Sequence, residues 1–185
     1  MSKLYFTSDW HFNHDKEFIW RARGYDSVED MNKRQIEKYK EIITDDDVVI
    51  VLGDCFMGKD RESALAMMQE LPGSKHLIYG NHDTDSKIEE YQKLRIFKSV
   101  QCSYRFKYRK KEIIVSHYPT IVTNGEDQKP VFNLCGHTHT TDPFELFEYH
   151  CYNVGVDAHN GYPICIDDIL EDIYNKINEE KGMGK

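Results

Sequence analysis

The sequence predicts an α/β protein in which two β-sheets pack face to face and helices cover their outer surfaces. In the first half of the chain, strand patterns alternate three times with helical patterns, which is typical of parallel strands joined by crossover helices. In the second half, short β patterns follow one another with few helices between them, which indicates antiparallel strands. A parallel half beside an antiparallel half therefore predicts two packed sheets.

The first half is predicted to contain three strands and the helices that connect them. Ser27 and Asp60 begin helix-capping patterns, and Pro72 with Gly73 ends the second long helix. A run of five apolar residues predicts the central strand, because such a run is typical of a strand buried on both faces. The predicted elements are, in order, a strand over 4–7, a short helix within 12–26, a helix from 27, the central strand over 48–52, a helix from 60, a strand over 76–79 and a helix from 86.

The second half is predicted to be mainly β-structure and to end in a helix. Asp167 and Asp168 are predicted to cap this helix, which runs to about residue 178 and is followed by a frayed tail over 181–185. No linker rich in Pro, Gly or Ser divides the halves, so a single domain over residues 1–180 is predicted. The short β patterns cover 99–108, 111–115, 131–135, 144–149, 151–154 and 163–166.

Composition narrows the class of protein. At 185 residues, with 39% hydrophobic and 12% aromatic residues, the chain has a globular composition. Its five cysteines are irregularly spaced and its start lacks a signal-peptide pattern, so we expect a reduced, cytoplasmic protein. No apolar run is long enough to span a bilayer, so no membrane partner is expected. The net charge of −8 counts against extended nucleic acid as a partner, but not against a phosphate substrate that meets bound metal.

Polar clusters close five of the predicted strands. An aspartate such as Asp54 at a strand end is commonly only a helix cap, but ligands in open α/β sheets bind beyond the carboxyl ends of the strands. Side chains two residues apart on a strand point the same way, so each of the D-x-H and H-x-H pairs is expected to offer two ligands to one volume. Together the clusters predict the ligand set of a two-metal hydrolase. They contain Asp9 and His11, Asp54, Asn81 with His82 and Asp83, His117, and His137 with His139.

This series resembles the calcineurin-like metallophosphoesterase superfamily. The stretches 9–14, 116–119 and 153–157 are similar to the small single-domain members found in bacteria and their phages. The resemblance implies a pair of mixed β-sheets flanked by helices, an α/β/β/α sandwich. It also implies a phosphoester substrate, which is a small molecule or a nucleotide.

The resemblance implies a role for each cluster. Asp54 would bridge two metal ions, and a hydroxide shared by the ions would attack phosphorus. His82 would protonate the leaving oxygen, a task that suits a histidine. Imidazole, carboxylate and amide ligands admit manganese, iron, zinc, nickel or cobalt, and the resemblance favours manganese or iron. One ion would be held by Asp9, His11 and His139, and the other by Asn81, His117 and His137.

The rim of the site is less strongly determined by the sequence. We expect His14 and Arg23 to contact the substrate, because an arginine fork suits phosphate oxygens, although a solvated loop explains both nearly as well. The loop over 120–130 is expected to form part of the rim. The chain has no room for a capping domain, which favours a phosphodiesterase. A phosphomonoesterase or protein phosphatase with the same site, and a catalytically inactive binding scaffold, are the alternatives.

Overall fold

Nine strands and five helices are found within the residues that the computed structural model describes, which are 2–120, 131–144 and 150–183. The strands are β1 (Leu4–Thr7), β2 (Val48–Val51), β3 (Ser74–Ile78), β4 (Val100–Gln101), β5 (Ser103–Tyr108), β6 (Lys111–Ser116), β7 (Val131–Cys135), β8 (Cys151–Asn153) and β9 (Ile164–Cys165). The helices are α1 (Glu17–Trp20), α2 (Val28–Ile42), α3 (Arg61–Gln69), α4 (Asp85–Lys93) and α5 (Ile166–Met183).

The first sheet has the order β4-β3-β2-β1-β9 and places the predicted central strand at its centre. Strands β1 to β4 are parallel, and β9 joins β1 in the antiparallel direction. The parallel arrangement brings the carboxyl ends of β1, β2 and β3 to one edge. Ser27 and Asp60 cap α2 and α3 by accepting the backbone N–H groups of Asp30 and Ser63, as their patterns predict.

The second sheet has the order β5-β6-β7-β8, and the antiparallel pairing expected for it is wrong beyond its first hairpin. Only β5 and β6 are antiparallel, whereas β6, β7 and β8 run parallel. The connections over 117–130 and 136–150 exceed the roughly dozen residues that a parallel crossover needs, which explains the difference. Both sheets are therefore mixed, and the predicted fold class is confirmed.

The two sheets share one apolar core. Val49 and Val51 of the first sheet and Ile113 and Val115 of the second are fully buried in a common cluster. The rings of Phe6 on β1 and Phe106 on β5 stack across the sheets with centroids 6.4 Å apart. Helices α2, α3 and α5 contribute further buried residues, so the sheets face each other beneath them.

Three expectations about the ends of elements are corrected or left open. The β pattern over 99–108 is two strands, because the chain passes from the first sheet to the second at Cys102. Helix α5 continues to Met183 instead of ending near residue 178. Most of the strand predicted over 144–149 and of the rim loop over 120–130 lies outside the described residues.

Within the described part of the chain, no helix has the length and apolarity that crossing a membrane requires.

Candidate metal centre

The clustered side chains project from loops in an uncommon backbone conformation. Asp9, His11, Asp54, His137 and His139 all have positive φ, between 49° and 73°. Residues with a Cβ rarely adopt this left-handed region, and such residues concentrate at functional sites. Five strained positions at one edge of the fold therefore indicate that the loops are shaped to aim these side chains.

The strand alternation expected to align the D-x-H and H-x-H pairs is wrong. Strand β1 ends at Thr7 and β7 ends at Cys135, so neither pair lies within a strand. The backbone N–H groups of Asp9 and His11 instead donate to the carbonyls of Gly53 and Asp54, at 3.0 and 3.1 Å. The loop after β1 is thus bonded along the loop after β2, and the left-handed residues turn the side chains toward the same space.

Glycine permits the close approach of these loops. Gly53 has a φ of 92°, and a Cβ there would lie 2.5 Å from the backbone nitrogen of Gly80. The loops that carry Asp54 and Asn81 therefore meet backbone to backbone, which only glycine allows.

The first half of the cluster is formed by Asp9, His11 and His139. The Nε2 atoms of His11 and His139 lie 3.1 Å apart. When its Nδ1–H donates to Asp157 Oδ2, at 2.9 Å, the neutral ring of His139 has its lone pair on Nε2. Asp9 Oδ1 lies 4.0 and 3.9 Å from the two Nε2 atoms and, within the described residues, has no hydrogen-bond partner although it is buried.

The second half is formed by Asp54, Asn81 and His117. His117 donates from Nδ1 to the Leu52 carbonyl at 2.7 Å, which leaves a lone pair on Nε2. That Nε2 lies 3.0 Å from Asn81 Oδ1, which is also a lone-pair donor to a cation. Asp54 Oδ2 lies 3.6 Å from the same nitrogen. Ring nitrogens and side-chain oxygens that can bind a cation thus converge in this half of the cluster.

His137 lies beside the other predicted ligand residues. Its backbone N–H donates to Asp9 Oδ2 at 3.0 Å, and its ring lies 5.1 Å from the ring of His117. Among the described residues, two groups have His and carboxylate ligand atoms within 4.8 Å of one another. They are Asp9, His11 and His139, and Asp9, Asp54 and His117, and His137 belongs to neither.

These groups fit divalent metal ions. Burial raises the pKa of the Asp9 carboxyl, because a lone negative charge is costly there. Burial also lowers the pKa of His11 and of His137, which keeps both rings neutral and able to donate lone pairs. A cation would stabilise the Asp9 carboxylate and bind the converging nitrogens. Neutral imidazoles with carboxylates and an amide are ligands that transition metals accept.

Asp83 and Lys87 hold the loop that carries His82. Asp83 Oδ2 accepts the backbone N–H groups of Asp54 and Gly80 at 2.7 and 2.9 Å, so it joins the loops after β2 and β3. Lys87 donates to the His82 carbonyl at 2.7 Å, and the His82 N–H donates to Asp54 Oδ1 at 2.9 Å. The His82 ring is 43% exposed, with Nε2 4.0 Å from Asp54 Oδ2.

Arg23 does not lie at the rim as expected. Its side chain is only 6% exposed, and its Nε and NH2 groups donate to the two carboxylate oxygens of Asp157, each at 2.8 Å. It also donates to the carbonyls of Trp10 and Asp9, at 3.1 and 3.0 Å. The guanidinium therefore supports the loop of Asp9 and orients Asp157, which in turn bonds His139.

Asp157 is the functional residue that sequence reasoning missed. It belongs to the stretch 153–157, whose resemblance to small family members was its only signal. Burial alone would raise its pKa, but the hydrogen bond from His139 and the charge of Arg23 hold the pKa of this carboxyl below its usual value.

His14 does lie beside the cluster, with its ring 5.6 Å from that of His11.

Comparisons with known proteins show the family and the fold of this chain. A family model for calcineurin-like phosphoesterases matches residues 2–182. An uncharacterized protein of Methanocaldococcus jannaschii is 37% identical over 84 residues, or 45% of this chain, and the match spans 48% of that relative. The gene 66 protein of Mycobacterium phage L5 is 29% identical over 208 residues, with 99% of each chain covered. The crystal structure of a protein of unknown function from Aquifex aeolicus shares the fold with a TM-score of 0.72 and 22% identity, over 92% of this chain and 99% of that one.

Proposed function

Because this chain belongs to the calcineurin-like phosphoesterase family, we propose that it is a metal-dependent phosphoester hydrolase that prefers diesters. One carboxylate oxygen carries the proposal. Asp54 Oδ2 lies 3.7 Å from His11 Nε2 and 3.6 Å from His117 Nε2, so it faces ring nitrogens from both halves of the cluster. A carboxylate in that position would be available to two cations, one bound in each half of the cluster.

The proposed site holds two divalent ions, for which we favour manganese or iron over zinc, nickel or cobalt. When bound, the ions supply positive charge that lowers the pKa of water and stabilises the charge developing on the phosphate. One ion is assigned to Asp9, His11 and His139 and the other to Asn81, His117 and His137, with Asp54 shared. His137 is included because its ring lies next to that of His117, with centroids 5.1 Å apart.

His82 is the proposed proton donor to the leaving oxygen. Its ring is within 4.0 Å of Asp54 yet 43% exposed, so it contacts both the ligand cluster and the space that a substrate enters. The bonds of its backbone to Asp54 and Lys87 fix the loop that carries the imidazole. A positioned histidine of this kind contributes roughly 10²–10⁴-fold to a rate.

The hydrogen bonds that Arg23 makes within the protein favour a diester substrate over a monoester. A phosphate diester has one negative charge, whereas a monoester near neutral pH has two. The Arg23 guanidinium, 3.3 Å from His139 Nδ1, is bound to Asp157 in a bidentate ion pair and to two carbonyls. It therefore does not meet the additional charge of a monoester, and a diester matches the site better.

The proposal is tested with protein loaded separately with each of the five metals. Hydrolysis of an aryl phosphate monoester, an aryl phosphate diester and a cyclic nucleotide is compared, and bound metal is measured by mass spectrometry. We expect two ions per chain and the highest kcat/KM for a diester. Faster turnover of the monoester would overturn the diester preference, and protein without bound metal under all loadings would overturn the function.

Asp54→Asn tests the shared carboxylate directly. We expect loss of at least one ion and a fall in kcat of about 10³-fold or more, because amide oxygens do not serve two cations. Asp47→Asn is the matched control, since Asp47 is a buried carboxylate that precedes the opposite end of β2. Two bound ions and a normal rate in the Asp54 variant would refute the assignment.

A further inference from the structure

An exposed aromatic side chain lies directly beside the ligand cluster. Tyr118 follows His117 and is 50% exposed, whereas about half of the aromatic side chains in the described residues are buried. Its ring centroid lies 4.6 Å from that of His137 and 5.1 Å from that of His117, with edge-to-face geometry at both. Part of the ring is thus packed on the site, while the rest faces solvent.

The backbone that presents Tyr118 is held in place. Its carbonyl accepts the hydroxyl groups of Ser116 and Thr120, at 2.7 and 3.0 Å. Asn133, which is buried, donates to Ser116 Oγ at 2.9 Å and accepts the N–H of Thr120 at 2.8 Å. A ring on a fixed backbone loses little conformational freedom when a ligand packs on it.

A second exposed aromatic side chain lies at the other end of the cluster. Phe18 on α1 is 71% exposed, and its ring lies 6.0 Å from that of His14. The His14 ring lies 5.6 Å from that of His11, so Phe18 extends the His11 side of the cluster as Tyr118 extends the His117 side. Single exposed aromatic side chains are ordinary on protein surfaces. Two of them on opposite sides of the ligand cluster are placed to contact one bound molecule.

We propose that Tyr118 and Phe18 stack on the nucleobases of a nucleoside phosphodiester whose phosphate lies at the ligand cluster. This inference rests on the proposed function and names its substrate class. A phosphodiester between two nucleosides has one base on each side of its phosphate. This matches one aromatic ring at each end of the cluster. Stacking of bases on aromatic rings tolerates any sequence.

The charge of the chain supports stacking as the source of affinity. A net charge of −8 is unfavourable for a groove that follows a phosphate backbone, so affinity beyond one phosphate has to come from uncharged contacts. Aromatic stacking is such a contact. The substrate class is therefore a short or single-stranded nucleotide diester and not a duplex.

Calorimetry with metal-loaded full-length protein tests the proposal. The probes are thymidine 5′-monophosphate and methyl phosphate, which carry the same phosphate group with and without a base, and released inorganic phosphate is monitored in the same samples. We expect wild-type protein to bind the nucleotide about tenfold more tightly. Tyr118→Leu is expected to remove most of this preference, Tyr118→Phe to retain it and Phe18→Leu to remove a smaller part.

Tyr174→Leu is the matched control. Tyr174 is also an exposed tyrosine, but it lies on α5 against Lys111, at the end of β6 remote from His117. Its substitution is expected to leave the preference at the wild-type value. Equal wild-type affinity for the two probes, or a full preference in Tyr118→Leu, overturns the proposal. A loss in Tyr118→Phe as large as in Tyr118→Leu also overturns it, because the hydroxyl would then be responsible.

A parallel hydrolysis assay separates this inference from the proposed function. Thymidine 5′-(p-nitrophenyl) phosphate and ethyl p-nitrophenyl phosphate share a leaving group and differ in the base. Tyr118→Leu is expected to lower the ratio of their kcat/KM values about tenfold, chiefly through KM. Absence of turnover for both esters would refute hydrolysis even where calorimetry shows the base preference. Turnover of both with an unchanged ratio in the variant would refute the stacking role alone.

Discussion

Asp157→Asn tests whether a residue that touches no substrate sets the metal affinity of this site. The substitution keeps the shape of the side chain but removes its charge. In the wild-type structure one carboxylate oxygen accepts His139 Nδ1 at 2.9 Å, and both oxygens accept Arg23. The asparagine cannot hold the imidazole in the same tautomer while satisfying the arginine. The Nε2 lone pair of His139 is therefore no longer fixed toward Asp9.

Two magnitudes follow from these contacts. Loss of the partner that orients a metal-binding histidine typically lowers metal affinity about 10- to 100-fold, or roughly 1.4–2.8 kcal/mol. The variant also leaves the buried Arg23 without its counter-ion, which in other buried pairs costs about 3–5 kcal/mol. Bonds from Arg23 to the carbonyls of Trp10 and Asp9 remain, so we expect a loss of stability toward the lower value.

The assay measures the two effects separately. Metal affinity is measured by competition with a chelator, and the free energy of unfolding of the metal-free protein by urea titration. Asp47→Asn is the control, because it also removes a buried carboxylate but at the opposite end of β2, and it should lower stability without changing metal affinity. Metal affinity within twofold of wild type in Asp157→Asn, with the expected loss of stability, would refute the positioning role.

Three other predictions concern the acid, the pH dependence and the backbone of the site. His82→Ala should lower kcat about 100-fold for a diester with an alkyl leaving group but less than about tenfold for one with nitrophenolate, and equal losses would contradict its role as proton donor. Burial alone would raise the pKa of Asp47, but hydrogen bonds from Lys3 and Thr44 hold that pKa below its usual value. Its contribution to stability is therefore present above about pH 4 and lost below it, so Asp47→Asn should show a smaller fall in unfolding free energy from about pH 5 to pH 3, and an unchanged acid slope would contradict this. Because His139 has a φ of 54°, the metal-free His139→Gly variant should be more stable than His139→Ala by roughly 0.5–1 kcal/mol in urea unfolding. The same pair of substitutions at His82, whose φ is not positive, should give the opposite sign.

Much of the fold could be predicted because its signals are local. The apolar run that forms β2, and the caps of α2 and α3 at Ser27 and Asp60, depend on residues within a few positions of one another. Strand direction in the second sheet is not a local property. The β patterns that became β6, β7 and β8 are the same for either direction, and only the length of the connections distinguishes them.

The candidate site was also predictable only in part. The residues at the strand ends could be found because parallel strands bring their carboxyl ends to one edge. The pair of Arg23 and Asp157 could not, since its members lie 134 positions apart and each alone resembles an exposed loop residue. An arginine in a polar loop suggests a phosphate contact until the structure shows that a buried carboxylate binds it.

The left-handed backbone of the ligand residues connects these observations. Asp and His adopt a positive φ more often than most other residues with a Cβ, but still too rarely for the sequence to predict this conformation at Asp9, His11 and His139. Such a conformation costs free energy, roughly 1–2 kcal/mol at each residue. The surrounding bonds maintain it, from the loop after β2 to the ion pair of Asp157, and cations that bind the converging lone pairs would add to that support. Stability of the loops and affinity for metal are therefore coupled, because the same side-chain directions serve both.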